Sequence, residues 1–246
     1  MLVDHEKCIG CGQCVPFCPA KSIEVHDKKA YIDQDTCFEC GVCTIVGSCK
    51  YDALYYPEFT GSRKIRYFCN NVLAKHPTTK MTGRGTAEMK TNELTNRFKR
   101  GEAGFGIEIG RPDVGATFRD VEKIAMALAR IGARFEPGAP TTLLMIDTAT
   151  GKLDDAILDE RIIDSIIEFT VPTDFLKETL AVLEQVAGEI NTVFSVDLIT
   201  RAEEDGSLPN VEIARALGYQ VRPNGKATLG LGRINPEQVK KAGEKS

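Results

Sequence analysis

From about residue 104 onward the apolar residues recur with periods that switch between those of strand and helix. FGIEIGR (105–111) reads as a strand, and FRDVEKIAMALARIG (118–132) sets Val121, Ile124, Ala125, Leu128 and Ile131 on one helical face that Gly132 ends. TTLLMIDTA (141–149) predicts a second strand. After the TGKLDD turn, the run Ile162, Ile163, Ile166, Ile167, Phe169 and Val171 fits either period. β-branching favours a strand over about 162–171. TDFLKETLAVLEQVAGEI predicts a helix capped by Thr173 or Asp174, and NTVFSVDLIT predicts a fourth strand. The order is β-α-β-β-α-β.

A short helix is expected at about 209–217, followed by a hairpin turning at Asn224-Gly225 and a polar end, PEQVKKAGEKS. Nothing past residue 104 has the spacing of a catalytic apparatus. There is no His beyond 76 and no Cys beyond 69, and the acids are spread along helices where solvation is their ordinary role. Glu108 and Arg111 flank IEIGR, where a cross-strand or end-of-strand salt link is favoured over pairing with a ligand. A sheet with helices on one face leaves edges for pairing, so this part suits a regulatory module or a homodimer interface.

Charge divides the chain into three stretches. Residues 1–60 hold five Lys or Arg against nine Asp or Glu, residues 61–100 hold ten against two, and the remainder holds 16 against 24. The basic stretch runs from Arg63, Lys64 and Arg66 through Lys75, Lys80, Arg84 and Lys90 to Arg97, Lys99 and Arg100. Three uses are open to it: an internal strap against acidic neighbours, docking of an acidic partner, or nucleic-acid binding. The last is disfavoured, because only Tyr67, Phe68 and Phe98 supply aromatics and no recognised module is present. Within it TGRGTAEMK has glycines at 83 and 85 that allow close ligand approach, so Arg84 and Lys90 form a candidate anion site. It lacks the order of a phosphate loop, and a tight turn explains G-R-G equally well. A short helix over 88–98, capped by Thr86, is the competing reading.

The strongest chemical signal lies in the first fifty residues. Cys8, Cys11, Cys14 and Cys18 are followed by Cys37, Cys40, Cys43 and Cys49, the first three of each set offset by the same 29 residues. Zinc sites use paired C-x2-C turns rather than triplets, whereas iron–sulfur clusters use soft thiolates wrapped by short loops. Disulfides are disfavoured, since MLVDHEKC has none of the regions of a secretory signal and a cytoplasmic chain keeps its thiols reduced. Cys69, in RYFCNNVL, has no partner spacing and reads as a packed thiol.

CIGCGQCVPFCP (Cys8 to Pro19) resembles the bacterial two-cluster ferredoxin run, C-x2-C-x2-C-x3-C-P, with every element present. The resemblance covers about residues 2–60 and implies two 4Fe-4S clusters. It also implies that the fourth cysteine of each run serves the other cluster. Cys8, Cys11, Cys14 and Cys49 would then hold one, and Cys37, Cys40, Cys43 and Cys18 the other. The second run, CFECGVCTIVGSCK, departs from the pattern: five residues separate Cys43 from Cys49, and Lys50 stands where proline is usual.

The expected class is α+β. A dicluster ferredoxin domain occupies 1–60, a basic connector 61–103, and a ferredoxin-like βαββαβ domain with a hairpin 104–235, with a polar tail at 236–246. At 42% hydrophobic and 27% charged, with no apolar run near the ~20 residues of a membrane helix, a cytoplasmic protein without a membrane span is expected. The functional expectation is a non-catalytic electron carrier, or a subunit of a larger redox enzyme, docking a redox partner. A ligand-binding regulator with clusters as sensors is the first alternative. An enzyme with a flavin or substrate between connector and C-terminal sheet is the second.

Overall fold

The computed structural model describes residues 1–75, 97–110, 115–163 and 165–222, and two hydrophobic cores organise them. In the N-terminal unit β1 (Leu2–Val3) pairs antiparallel with β4 (Leu54–Tyr55), which brings the ends of the unit together. Between them lie the hairpin of β2 (Ile23–His26) and β3 (Lys29–Ile32) and the short helix α1 (Val42–Ile45). Apolar side chains are few here. Met1, Ile23, Ala30 and Ala53 share the core with the buried Cys8, Cys14, Cys37 and Cys43, so the thiols themselves form much of the interior.

The stretch expected as a connector opens with a ten-residue helix, α2 (Gly61–Asn70). Residues one turn apart on a helix share a face. Accordingly Arg66 and Asn70 are buried together, while Ile65 and Cys69 pack against the C-terminal core. Arg84 and Lys90 lie outside the described residues, as does all but the end of the helix expected over 88–98.

The C-terminal unit begins with β5 (Glu102–Ile109), β6 (Ala116–Thr117) and α3 (Phe118–Arg130). β7 (Arg134–Phe135), β8 (Met145–Asp147), β9 (Lys152–Leu153) and β10 (Arg161–Ile162) follow. Then come β11 (Ser165–Pro172), α4 (Leu176–Ala187), β12 (Phe194–Ile199) and α5 (Pro209–Ala216). The main sheet is antiparallel in the order β12-β5-β11-β7.

Alternation along β5 and β11 buries Phe105, Ile107, Ile109, Ile167, Phe169 and Val171 on the core face, with Phe105 and Phe169 paired in register and stacked at 4.9 Å. Helix α3 adds Val121, Ile124, Ala125 and Leu128, and α4 adds Leu176, Leu180, Leu183 and Val186. Full burial of each large side chain is worth about 1.5–3 kcal/mol. A capping box between Thr117 and Asp120 starts α3, and Gly132 lies just past its end with φ 77°.

One expected strand is displaced. TTLLMIDTA does not join the main sheet: Thr142–Leu144 form a 3-10 turn and Met145–Asp147 pair only with Lys152–Leu153. The Asp147 carboxylate accepts from the Ala149 amide at 2.9 Å and the Thr150 hydroxyl at 2.7 Å, which closes a tight turn before the strand can extend. Arg134–Phe135 takes the sheet position instead, beside Thr170 and Phe169. The run assigned to 162–171 is split, with β10 pairing β6 outside the main sheet and β11 starting at Ser165. The helix at 209–217 is observed as Pro209–Ala216. The expected hairpin at Asn224-Gly225, the polar tail and Arg111 fall outside the described residues.

Candidate metal centres

The eight cysteines of the two runs line two hollows in the N-terminal unit. Both open to solvent, and one, of about 350 Å3, is lined by Cys8, Cys11, Cys14 and Cys49 together with Val3, Ile9, Ala30, Tyr51 and Leu54. The other, of about 330 Å3, is lined by Cys18, Cys37, Cys40 and Cys43 together with Met1, Pro19, Ile23, Ile32 and Phe38. Each run therefore contributes three cysteines to one hollow and its fourth to the other.

Backbone geometry explains how so few residues set the thiols in place. Gly10, Gly12 and Gly41 adopt φ of 70°, 71° and 74°, the left-handed turns that wrap a loop around a concave site. At Gly41 a Cβ would strike the Tyr56 hydroxyl at 1.6 Å. Amides point at sulfur in both hollows: Ala30 donates to Cys8 Sγ at 3.3 Å, Ala53 to Cys49 at 3.3 Å, Ser22 to Cys18 at 3.2 Å and Glu39 to Cys37 at 3.4 Å. Such donors stabilise thiolates and their cluster-bound forms. The fourth cysteines, Cys18 and Cys49, each accept from the amide four residues on, despite the longer interval before Cys49. The longer interval carries the end of α1 and a turn at Gly47, and the buried Ser48 hydroxyl donates to the Cys43 carbonyl at 2.5 Å.

Burial raises the thiols of Cys14 and Cys40, and pushes Cys37 up to about 11 and Cys43 up to about 12. Neutral thiols of this kind must lose protons to bind metal, so loading is coupled to proton release. Among the described residues no group of three or more His, Cys, Asp or Glu is placed to hold a single metal ion. Four sulfurs around a hollow, each run's loop turned by glycines and supplied with amide donors, fit a multi-atom iron–sulfur cluster.

The surroundings of the hollows differ. At the first, Cys11 is exposed, and Ile9 and Tyr51 are 54% and 48% exposed. At the second, the loop Cys37–Cys40 is pressed between α2 and the C-terminal unit. Phe38 is 5% exposed, sits against Gly115 and carries Arg161 over its ring at 4.9 Å. Asn70 donates to the carbonyls of Phe38 at 2.8 Å and Arg161 at 2.9 Å, and accepts from the Ile163 amide at 2.7 Å. Glu39, between Cys37 and Cys40, is fully buried and ion-paired with both Arg63 and the Met1 amino group. Arg66 is ion-paired with the buried Glu160.

Composition and spacing had not singled out Glu39, Asn70 or Glu160. Their one legible signal is polarity inside an otherwise structural segment. Cys69 stays apart from both hollows; it packs on the C-terminal core, and burial pushes its thiol up to about 12.

A family model for the 4Fe-4S binding domain matches residues 1–24. A protein named Ferredoxin 7Fe, from Hydrogenibacillus schlegelii, is 35% identical over 68 residues, which is 27% of this chain and 85% of that one. A ferredoxin-like protein in the vnf region of Azotobacter vinelandii is 37% identical over 60 residues, 23% of this chain and 92% of that one. Pyruvate synthase subunit PorD of Methanothermobacter marburgensis is 46% identical over 42 residues, 17% of this chain and 48% of that subunit. Through its N-terminal unit the chain belongs to the 4Fe-4S ferredoxins, and the likeness to these relatives stops at about its first quarter. No solved structure matches it.

Proposed function

We propose that the chain is an electron carrier that relays single electrons through two 4Fe-4S clusters, as a subunit or close partner of a larger redox enzyme. The observation that carries this is the exchange of fourth cysteines, which rings each hollow with four thiols. On this reading Cys8, Cys11, Cys14 and Cys49 hold one cluster, and Cys37, Cys40, Cys43 and Cys18 hold the other. Each cluster supplies a site that gains and loses one electron. The chain's own residues do the rest: thiolates hold the iron, the amides of Ala30, Ala53, Ser22 and Glu39 offset charge on sulfur, and apolar walls exclude water. The exposed first site faces a redox partner, since Cys11, Ile9 and Tyr51 reach the surface.

The C-terminal unit is read as a ferredoxin-like βαββαβ domain that fixes the ferredoxin part within an assembly. Numbering its main-sheet strands in chain order, β12-β5-β11-β7 becomes 4-1-3-2, with helices after the first and third strands. Its edge strand β12 exposes Ser195, Val196 and Asp197 and is available for pairing with a second copy. No helix among the described residues is long and apolar enough to cross a membrane.

Anaerobically purified protein tests the carrier reading. Iron and acid-labile sulfide of about eight each per chain, with visible absorption bleached by dithionite, are expected for two cubane clusters. A relative's name specifies seven irons; that count here would leave one site short. Two bound zinc ions would end the proposal.

A further inference from the structure

The leading cysteine of each run presents its carbonyl to a cation, and the two cations differ in origin. Lys29 Nζ donates to the Cys8 carbonyl at 2.6 Å and to the His5 carbonyl at 2.6 Å, all within the ferredoxin unit. At the equivalent position of the second run, Arg66 Nη1 donates to the Cys37 carbonyl at 3.0 Å and to the Gln34 carbonyl at 2.8 Å. Arg66 comes from α2, is 7% exposed, and turns its Nε to Glu160, which belongs to the C-terminal unit and is also 7% exposed.

We propose that Arg66 is a positioning residue for the second cysteine site and that Glu160 sets how much of its charge that site feels, so that the C-terminal unit tunes one cluster and leaves the other alone. The inference rests on reading both hollows as iron–sulfur sites. Its physical basis is dielectric. Lys29 is half-buried and partly hydrated, whereas the Arg66–Glu160 pair lies out of water, where charges act with less screening.

Other charges also reach this side, since Arg63 and Asp33 act on the Cys37 thiol in opposite directions, and they stay fixed when Arg66 or Glu160 is replaced. Arg63 and the Met1 amino group share the single Glu39 carboxylate, and Arg161 lies over the Phe38 ring. Adding an electron makes a cluster more negative. A guanidinium beside it therefore favours the reduced form, and a carboxylate that neutralises the guanidinium opposes it. The same pair holds the Cys37 loop in register, because Arg66 spans Gln34, Cys37 and Glu160 at once.

The two substitutions have opposite signs. In the full-length, iron-loaded protein, EPR-monitored reductive titration should show Arg66→Met lowering the midpoint of the second-run cluster and Glu160→Gln raising it. Each should change the reduced-to-oxidised ratio at fixed potential about tenfold, or about 59 mV for a one-electron couple. Arg66→Lys should return the midpoint toward wild type, and the first-run signal should hold still throughout.

Looser packing would move both variants the same way or broaden both signals, and that result overturns the proposal. If Arg66→Met fails to load iron, Glu160→Gln alone decides: an unmoved or lowered second-run midpoint refutes the role of the pair. Failure of the carrier reading looks different, because there would then be no two separately titrating signals to compare.

Discussion

The two cysteine hollows share the spacing of their first three donors, yet the loop around one lies at the surface and the loop around the other packs against a different part of the chain. Around the first, Ile9, Cys11 and Tyr51 lie at the surface. Around the second, Phe38, Glu39, Arg66 and Asn70 are buried; Phe38 and Glu39 touch α2, and Arg66 and Asn70, on α2 itself, reach the C-terminal unit. Donor chemistry sets what a site can bind, whereas burial and fixed charge set the energy of adding an electron to it. A duplicated motif thus yields two unlike centres once a second domain is laid against one of them.

The largest effect is expected from the exchange of the fourth cysteines. Cys18→Ala should lower iron to about half and remove the EPR signal of the second-run site, leaving that of the first. Loss of the first-run signal instead would mean that each run serves its own cluster.

A smaller effect is expected from the seal. Asn70→Leu strands the Phe38 and Arg161 carbonyls and the Ile163 amide, and should cost about 4 kcal/mol in urea unfolding. Lys29→Met, the comparable change at the first-run site, should cost about 1 kcal/mol. Equal losses would show that the two sites are equally supported.

Glycines sharpen the contrast further. A Cβ on Gly115, at φ 70°, would meet Phe38 Cζ at 2.6 Å, whereas at Gly12, with φ 71°, the nearest neighbour is Val25 Cγ2 at 4.0 Å. Both alanine variants carry the left-handed cost, and only Gly115→Ala adds a clash. About 3 kcal/mol is expected for Gly115→Ala and about 1 kcal/mol for Gly12→Ala, read as shifts in urea midpoint.

The smallest effect concerns the thiol outside both sites. Cys69 is held neutral by burial, with its folded value pushed up to about 12, while in the unfolded chain it ionises near the ordinary value of about 8.5. The unfolded state therefore loses its proton first. Stability from this group is complete below about pH 8.5 and is lost progressively as pH rises toward 12. Relative to Cys69→Val, the wild type should match at pH 7 and fall behind at pH 10 in chemical unfolding. A constant difference across that range would place Cys69 in contact with solvent.

Much of this was legible locally. The cysteine spacing, the apolar face of α3, the stop at Gly132 and the helix expected at about 209–217 all follow from short-range preferences that survive in the folded chain. TTLLMIDTA misled because its apolar content suits a strand, while the side chain of Asp147 closes a turn that takes it out of the main sheet. Arg134–Phe135 was missed because two residues carry no periodicity, and only pairing with Phe169 and Thr170 makes them a strand. Arg66 was legible as charge in a basic stretch, but nothing in its neighbours marks it as buried. Its partner Glu160 is 94 residues away.

Local sequence was enough for the thiol donors, the two long helices and three of the four main-sheet strands, because each depends on residues within a few positions of one another. Only the folded arrangement settles which cysteine loop stays at the surface and which is packed against the C-terminal unit. That outcome depends on Asn70 meeting Arg161 and Ile163, on Phe38 meeting Gly115, and on Arg66 meeting Glu160. These contacts exist only after two cores have formed and packed together, and their burial is what turns a repeated spacing into two different electrostatic environments.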